Sequence, residues 1–266
     1  MPLSTGDQQQ KGEAFRTLHA GAPFVIPNPW DAGSARVLAK LGFKALATTS
    51  SGFAFTLGRR DGDVTLDEVI AHTAALAAAT ELPVSVDLEN GYGSSPESAA
   101  SAIVRAAEAG AVGGSIEDYD PSGRLYDVGH AAERVAAAAE AARALDSPFT
   151  LTGRAENHIR GNPDLDDTIA RLQAYEAAGA DVLYAPGLGS AEEIREVCAA
   201  VSRPVNVLAR PHLTLAEIAA AGAKRISVGG ALTWVAVAAT IGAAKGMLER
   251  GDFSALAEGV KIDEWL

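Results

Sequence analysis

Cysteine is nearly absent from this chain: a single residue, Cys198, stands among 266. One cysteine excludes an intrachain disulfide and a cysteine-based zinc cluster within the chain. It falls in the helical pattern 191–201 and reads as a small core residue, not as a nucleophile. Positive charge is also scarce. Lys and Arg number 22 against 34 Asp and Glu, a net charge of -12. That balance argues against nucleic-acid backbones as partners. No unbroken apolar run approaches the length of a membrane span, so no membrane partner is expected. The polar start, 1–10, lacks the basic-then-apolar form of a secretory signal, and the expected location is the cytoplasm. There is no glycine-rich dinucleotide fingerprint, no P-loop and no readable Ser-His-Asp arrangement.

What is present is alternation. Hydrophobic residues make up 48% of the chain, enough for a substantial core. A loose arm over the first dozen residues precedes a short helix at 13–20. Short apolar strands are then predicted at 24–27, 45–49, 84–88, 113–116, 149–152, 182–184, 205–208 and 225–228. A helical pattern follows each, among them 96–108, 191–201, 215–221 and 231–248. Capping signals support several: Thr65 with Glu68 has capping-box spacing. Gly110, Gly179 and Gly222 read as helix stops. The tail, 253–266, reads as one more short helix. Strands alternating with helices imply parallel pairing, because each crossover needs a helix. Eight such units favour an α/β fold, a closed (β/α)8 barrel spanning 1–266 as one domain, over an open doubly wound sheet.

Barrel enzymes carry their chemistry at the C-terminal ends of the strands. That rule collects Asn28, Trp30 and Asp31 after strand one, and Ser50, Ser51 and Gly52 after strand two. Asp87 and Glu89 end strand three, Glu117 and Asp118 strand four, Arg154 and Glu156 strand five. Asn206 and Arg210 lie at strand seven. Asp87 and Glu89 are two apart, so on a regular strand they share a face. Four carboxylates from two adjacent strands suit a hard cation such as Mg²⁺. Arg154 suits a substrate carboxylate, and backbone N–H groups at Ser51, Gly52 and Phe53 suit an anion. Each has a plainer reading: Arg154 could pair with Glu156 or Asp118, Ser51 could cap a turn, and Asp61 could be an ordinary turn residue.

Four segments carry a resemblance: Thr49-Ser50-Ser51-Gly52, Asp87-Leu88-Glu89-Asn90-Gly91-Tyr92-Gly93, Ser115-Ile116-Glu117-Asp118 and Gly153-Arg154-Ala155-Glu156. Together they resemble the isocitrate lyase/phosphoenolpyruvate mutase superfamily. The resemblance implies a (β/α)8 barrel whose last helix packs on, or is swapped with, a neighbouring subunit in a homodimer or homotetramer. It implies Mg²⁺, with Mn²⁺ as a substitute, held at Asp87 and served mainly through waters by Glu89, Glu117 and Asp61. It implies anion binding at Ser51, Gly52 and Arg154, with Phe53, Trp30 and Asn206 as further substrate-binding candidates. The implied activity is a lyase on a small 2-oxo or 2-hydroxy mono- or dicarboxylic acid, with an enolate stabilised for C–C cleavage. P–C chemistry on a phosphonopyruvate-like substrate and binding of a 2-oxo acid with little turnover are the alternatives. The chain departs from the pattern in the loop 119–126, which has neither the Lys nor the Cys of the lyases' gating loop. Tyr126 and Arg124 are the candidates to replace the missing acid, beside Arg154 as the third catalytic candidate. After strand six, Ala185-Pro186-Gly187 stands where many lyases have a glutamate.

Overall fold

The computed structural model describes residues 5–266. Ten strands run along the described residues: β1 (Phe24–Ile26), β2 (Leu46–Ala47), β3 (Val84–Asp87), β4 (Gly113–Glu117), β5 (Tyr119–Asp120), β6 (Arg124–Leu125), β7 (Thr150–Arg154), β8 (Val182–Tyr184), β9 (Val205–Leu208) and β10 (Arg225–Ser227). The helices among them are α1 (Thr5–Ala20), α2 (Ala32–Lys40), α3 (Ser50–Thr56), α4 (Leu66–Ala79), α5 (Pro96–Glu108), α6 (Val128–Arg143), α7 (Leu165–Ala177), α8 (Ala191–Ala200), α9 (Leu215–Ala220) and α10 (Ala231–Arg250). Eight strands pair in the order β1-β10-β9-β8-β7-β4-β3-β2, and all of these pairs are parallel. The Ala47 N–H donates to the Pro27 carbonyl at 3.1 Å and so joins the two ends of the sheet. Asn28 reinforces the seam: its Nδ2 donates to the Thr48 carbonyl, and its Oδ1 accepts from the Val228 and Gly229 N–H groups. The result is the expected (β/α)8 barrel.

Local chemistry explains the best-marked helix. Ser95 accepts from the Ser98 N–H, Pro96 occupies the first turn, and Gly110 stops the chain with φ 96°. The buried face of α5 is Ala99, Ala102, Ile103, Ala106 and Ala107, and α6 answers with Ala131, Val135, Ala138, Ala139 and Ala142. Small side chains on both faces let the two helices approach closely and leave the larger residues for the strand side.

Four expectations change. The loose arm is helix from Thr5 onward; its residues 1–4 lie outside the described part. Lys11 donates to the Thr80 carbonyl, Gln8 to those of Ala107 and Ala111, and Phe15 is fully buried, so α1 plugs the lower end of the barrel. Residues 50–56, where no helix is expected between strand two and the Thr65 cap, form one, because Thr49 Oγ1 accepts from the Gly52 N–H. The loop 119–126 folds back on itself as the antiparallel pair β5–β6. The tail forms two short 3₁₀ turns, Ser254–Glu258 and Ile262–Glu264, instead of a helix.

One helix is longer and more apolar than the sequence suggests. By length and composition, α10 could cross a membrane, with mean hydropathy 1.5 over its most apolar window and 11% of that window buried. Alanine, glycine and threonine interleave its larger apolar residues, which hid the run in the sequence. Thr233 and Gly246 are its buried residues, while Trp234, Val235, Ile241 and Leu248 are exposed.

Candidate active site at the barrel mouth

Strand register gathers the site. Asp87 pairs with Ser115, and Glu117 pairs with Arg154, so three adjacent strands end in Asp87, Glu117 and Arg154. The Arg154 guanidinium is the hub. Its Nε lies 2.5 Å from Glu156 Oε1 and 3.4 Å from Glu117 Oε2, and Nη1 lies 3.6 Å from Asp87 Oδ2. The Tyr184 ring faces it, with 5.2 Å from the guanidinium carbon to the ring centroid. Arg154 therefore pairs with Glu156, as the plainer reading had it, and also reaches Asp87 and Glu117.

Glu89 reaches the mouth without the strand alternation expected of it. β3 ends at Asp87, and Glu89 takes φ 48°. Glu89 nevertheless lines the same mouth as Asp61, Glu117 and Arg154, in a cavity of about 300 Å³. Glu89 and Tyr92, at φ 58°, are the two non-glycine residues with positive φ among the described residues. Both lie in the loop after β3, so left-handed backbone, of order 1–3 kcal/mol per residue, is concentrated at this edge of the mouth. The Tyr92 hydroxyl donates to Glu89 Oε1 at 3.2 Å. Gly91 has no alternative there: at φ 77° a Cβ would come within 2.9 Å of the Ala99 Cα.

Five carboxylates, Asp61, Asp87, Glu89, Glu117 and Glu156, meet two guanidiniums, Arg154 and Arg160. Burial, then Asp87 and Asp61, push the Glu89 carboxyl up to about 7. Burial holds Glu117 well above the usual carboxylate range, against the pull of Arg154. Burial also raises Asp61, partly offset by a hydrogen bond from Ser50. The mouth thus carries more negative charge than its arginines neutralise.

Asp118 does not join this group. The strand alternation that turns Glu117 inward turns Asp118 outward. Its Oδ2 accepts from the Tyr175 hydroxyl at 2.5 Å and from Arg171 Nη1 at 3.0 Å, and its Oδ1 accepts from the Glu156 N–H at 2.8 Å. Asp118 is a buried structural acid, and the expectation of four carboxylates from strands three and four is corrected to three.

The replacements expected for the loop acid are also elsewhere. Arg124 is exposed, and its Nε donates to Ser122 Oγ on the hairpin. The Tyr126 hydroxyl donates to Asp120 and accepts from Asn90, and Arg134 stacks on its ring at 4.6 Å. These contacts tie the hairpin to the loop after β3; neither side chain lines the cavities of the mouth.

A second cavity, about 200 Å³, continues inward from Ser50, Ser51 and Asp87. Ile159, Pro186 and Leu208 give it an apolar flank. Asn206 lines it, although its amide is engaged with Ser227 and Arg225. Phe53 and Trp30 stay outside. Phe53 stacks on His72 at 3.8 Å, and its N–H is spent on the Thr49 carbonyl. Gly52 serves packing, since a Cβ would come within 2.6 Å of Thr49 and 2.7 Å of Thr233. Cys198 lies half-buried on α8 against the core, and burial pushes its thiol up to about 11.

Two mouth residues escaped the sequence reading. Arg160 donates to Glu156 Oε2 at 2.8 Å, comes within 3.7 Å of Glu117, and covers the Tyr119 ring at 4.0 Å. Its signal was the i,i+4 spacing from Glu156. Tyr184 closes β8, where the strand-end rule would have found it.

The donor set can be tested against a divalent ion. Among the described residues no three acidic or imidazole side chains converge tightly enough to grip an ion directly. Mg²⁺ asks for less: one or two carboxylates and several waters in a polar space. Asp87 beside Asp61, Glu89 and Glu117, with surplus negative charge and a cavity at hand, fits that requirement.

Residues 15–248 match the family model described as phosphoenolpyruvate phosphomutase. Among solved structures, a Burkholderia cenocepacia J2315 protein described provisionally as a lyase/mutase is 52% identical, with 98% of this chain and 97% of that one covered and a TM-score of 0.95. A second protein from that organism, described provisionally as a phosphonomutase, is 39% identical over 92% of this chain and 100% of the other, with a TM-score of 0.85. The 2-methylisocitrate lyase of Halalkalibacterium halodurans is 31% identical over 74% of this chain and 67% of its own. With the barrel, the acidic mouth and the central arginine in place, the chain belongs to the phosphoenolpyruvate phosphomutase family of the isocitrate lyase/phosphoenolpyruvate mutase superfamily.

Proposed function

We propose that this protein is a divalent-metal-dependent lyase that cleaves a C–C bond in a small 2-oxo or 2-hydroxy acid. The observation that carries the reading is Arg154 held among Asp87, Glu117 and Glu156 at the entrance of a cavity of about 200 Å³. That space is below the roughly 300–1,000 Å³ of sites for drug-sized ligands and suits a small acid. Mg²⁺ or Mn²⁺ would be held by Asp87, with Asp61, Glu89 and Glu117 acting through waters. Bound there, the ion supplies positive charge to a substrate oxygen on which negative charge develops as the bond breaks.

The protein's own residues do the rest. Arg154 supports the substrate carboxylate with N–H groups whose direction Glu156 and Tyr184 fix. Ser50 and Ser51 offer hydroxyls at the same entrance. The Tyr92 hydroxyl holds Glu89 at the mouth, where its carboxyl would orient water. The hairpin β5–β6 covers one side of the mouth through Tyr119 and Pro121, which limits the access of water.

The 39% identity to a protein described provisionally as a phosphonomutase favours a second reading, P–C bond chemistry on a phosphonopyruvate-like acid. The placement of Tyr126 and Arg124 outside the lining of both cavities favours a third, a 2-oxo acid binder with little turnover. Incubation with candidate malate derivatives and Mg²⁺ separates them: released pyruvate or glyoxylate supports the lyase. Phosphate released from phosphonopyruvate supports the second reading. Metal-dependent binding with no product supports the third. The apolar side of α10, with Trp234, Val235, Ile241 and Leu248, is our proposed contact between copies. Light scattering should then give a dimer or tetramer, and a monomer at micromolar concentration would reject that contact.

A further inference from the structure

Arg225 opens β10 with its side chain inside the barrel, 5% exposed, at the inner end of the cavity that starts at the mouth. Its Nε donates to Asn206 Oδ1 at 2.9 Å, one terminal nitrogen to Thr152 Oγ1 at 2.9 Å, and the other lies 3.3 Å from His19 Nε2. His19 is fixed as the acceptor, because its Nδ1 is 2.8 Å from the Phe15 carbonyl and must carry the proton. All three partners are neutral. Among the described residues no carboxylate forms an ion pair with Arg225. A guanidinium has five N–H groups, and three are used. Burial lowers its affinity for the proton, but only to about 10, so it stays a cation at neutral pH.

A buried charge normally has a counter-charge. Here the surroundings are built for one and none is supplied. Ser85, Ser115, Asn206 and Ser227 line the cavity beside Arg225 with small polar groups. Thr150, two residues below Thr152 on the same strand face, has a buried hydroxyl with no partner. We propose that Arg225 forms a second anion site at the barrel floor, sized for a carboxylate group, separate from Arg154 and the acidic mouth. Its occupant is either a free small carboxylate or the far carboxylate of an extended substrate that enters through the mouth. In the second case, Arg225 selects dicarboxylates over monocarboxylates of similar length. The inference does not depend on the reaction assigned to the mouth.

Three arms test it. Wild-type crystals soaked in sodium bromide should show an anomalous peak beside the Arg225 guanidinium, a readout that needs no variant. Formate should raise the melting temperature of wild type and of Arg154→Gln, but not of Arg225→Gln. A response carried by a free anion identifies the first source. Calorimetry with 2-oxoglutarate and 2-oxobutyrate tests the other: wild type should favour the dicarboxylate by about tenfold or more, and Arg225→Gln should lose that preference. Should Arg225→Gln fail to fold, Arg225→Lys keeps the charge and should retain part of the bromide occupancy. Absence of bromide at Arg225, with no preference for the dicarboxylate in wild type, would overturn the proposal and leave Arg225 a purely structural residue.

Discussion

At the mouth of the barrel, Arg154 touches three carboxylates; at the floor, Arg225 touches an amide, a hydroxyl and an imidazole. Both guanidiniums are buried, and strand register links them. Arg154 pairs with Tyr184, Tyr184 with Asn206, and Asn206 with Arg225, so one row of neighbours spirals from mouth to floor. The acids around Arg154 raise its proton affinity, whereas desolvation with little compensation lowers that of Arg225. One end of the cavity has surplus negative charge and calls for a cation. The other has an unmatched positive charge and calls for an anion. A small acid bound beside a metal would meet both demands.

The largest expected effect comes from removing the mouth's central acid. Asp87→Ala should lower turnover by ~10³-fold, because charge developing on the substrate then lacks its stabiliser; activity within tenfold of wild type would break the contrast at its acidic end. Arg154→Lys should cost ~10²-fold in kcat/KM, since an ammonium cannot address Glu156, Glu117 and Asp87 at once. An Arg154→Lys enzyme equal to wild type would make Arg154 a mere point charge.

Asp118 sharpens the contrast from another side, as an acid wholly spent on the protein. Asp118→Ala should destabilise by ~3–5 kcal/mol in urea unfolding, because it strands Arg171 and Tyr175, while Mg²⁺ affinity stays unchanged. Lost affinity without lost stability would return Asp118 to the mouth.

A smaller effect concerns pH. The Glu89 carboxyl is raised to about 7 in the folded protein from an ordinary 4.5. Between those values the native state holds more proton than the unfolded one, so stability falls as pH rises through this window. Without divalent metal, the melting temperature should drop between pH 5 and 8, and Glu89→Gln should flatten the drop. Smallest of all, Tyr126→Phe should leave turnover within about twofold and cost ~1 kcal/mol of stability from its hairpin hydrogen bonds. A large loss of turnover would restore the tyrosine as an acid.

The barrel was legible because its punctuation is strong. Ser95, Pro96 and Gly110 bound α5 by local chemistry alone, and the strand-end rule found Asp87, Glu117 and Arg154. What the sequence hid depends on distant partners. Residues 5–12 look like a polar arm until Lys11 meets Thr80 and Gln8 meets Ala107 across the barrel floor. The antiparallel pairing of β5 with β6 follows from the Asp120 to Gly123 turn, whose composition was visible but whose strands are two residues each. Asp118 was misplaced despite the period-two rule, which applied to Glu117 places its neighbour on the other face. Arg225 reads in sequence as an ordinary charge at a strand start; only the ring of strands turns it inward.

Mn²⁺ titration followed by electron paramagnetic resonance reads out a divalent ion at the mouth without reference to turnover. Wild type should bind one ion per chain, with Asp87→Ala losing that site and Arg225→Gln keeping it. Equal Mn²⁺ binding by wild type and Asp87→Ala would mean that the acidic mouth holds no divalent ion through Asp87.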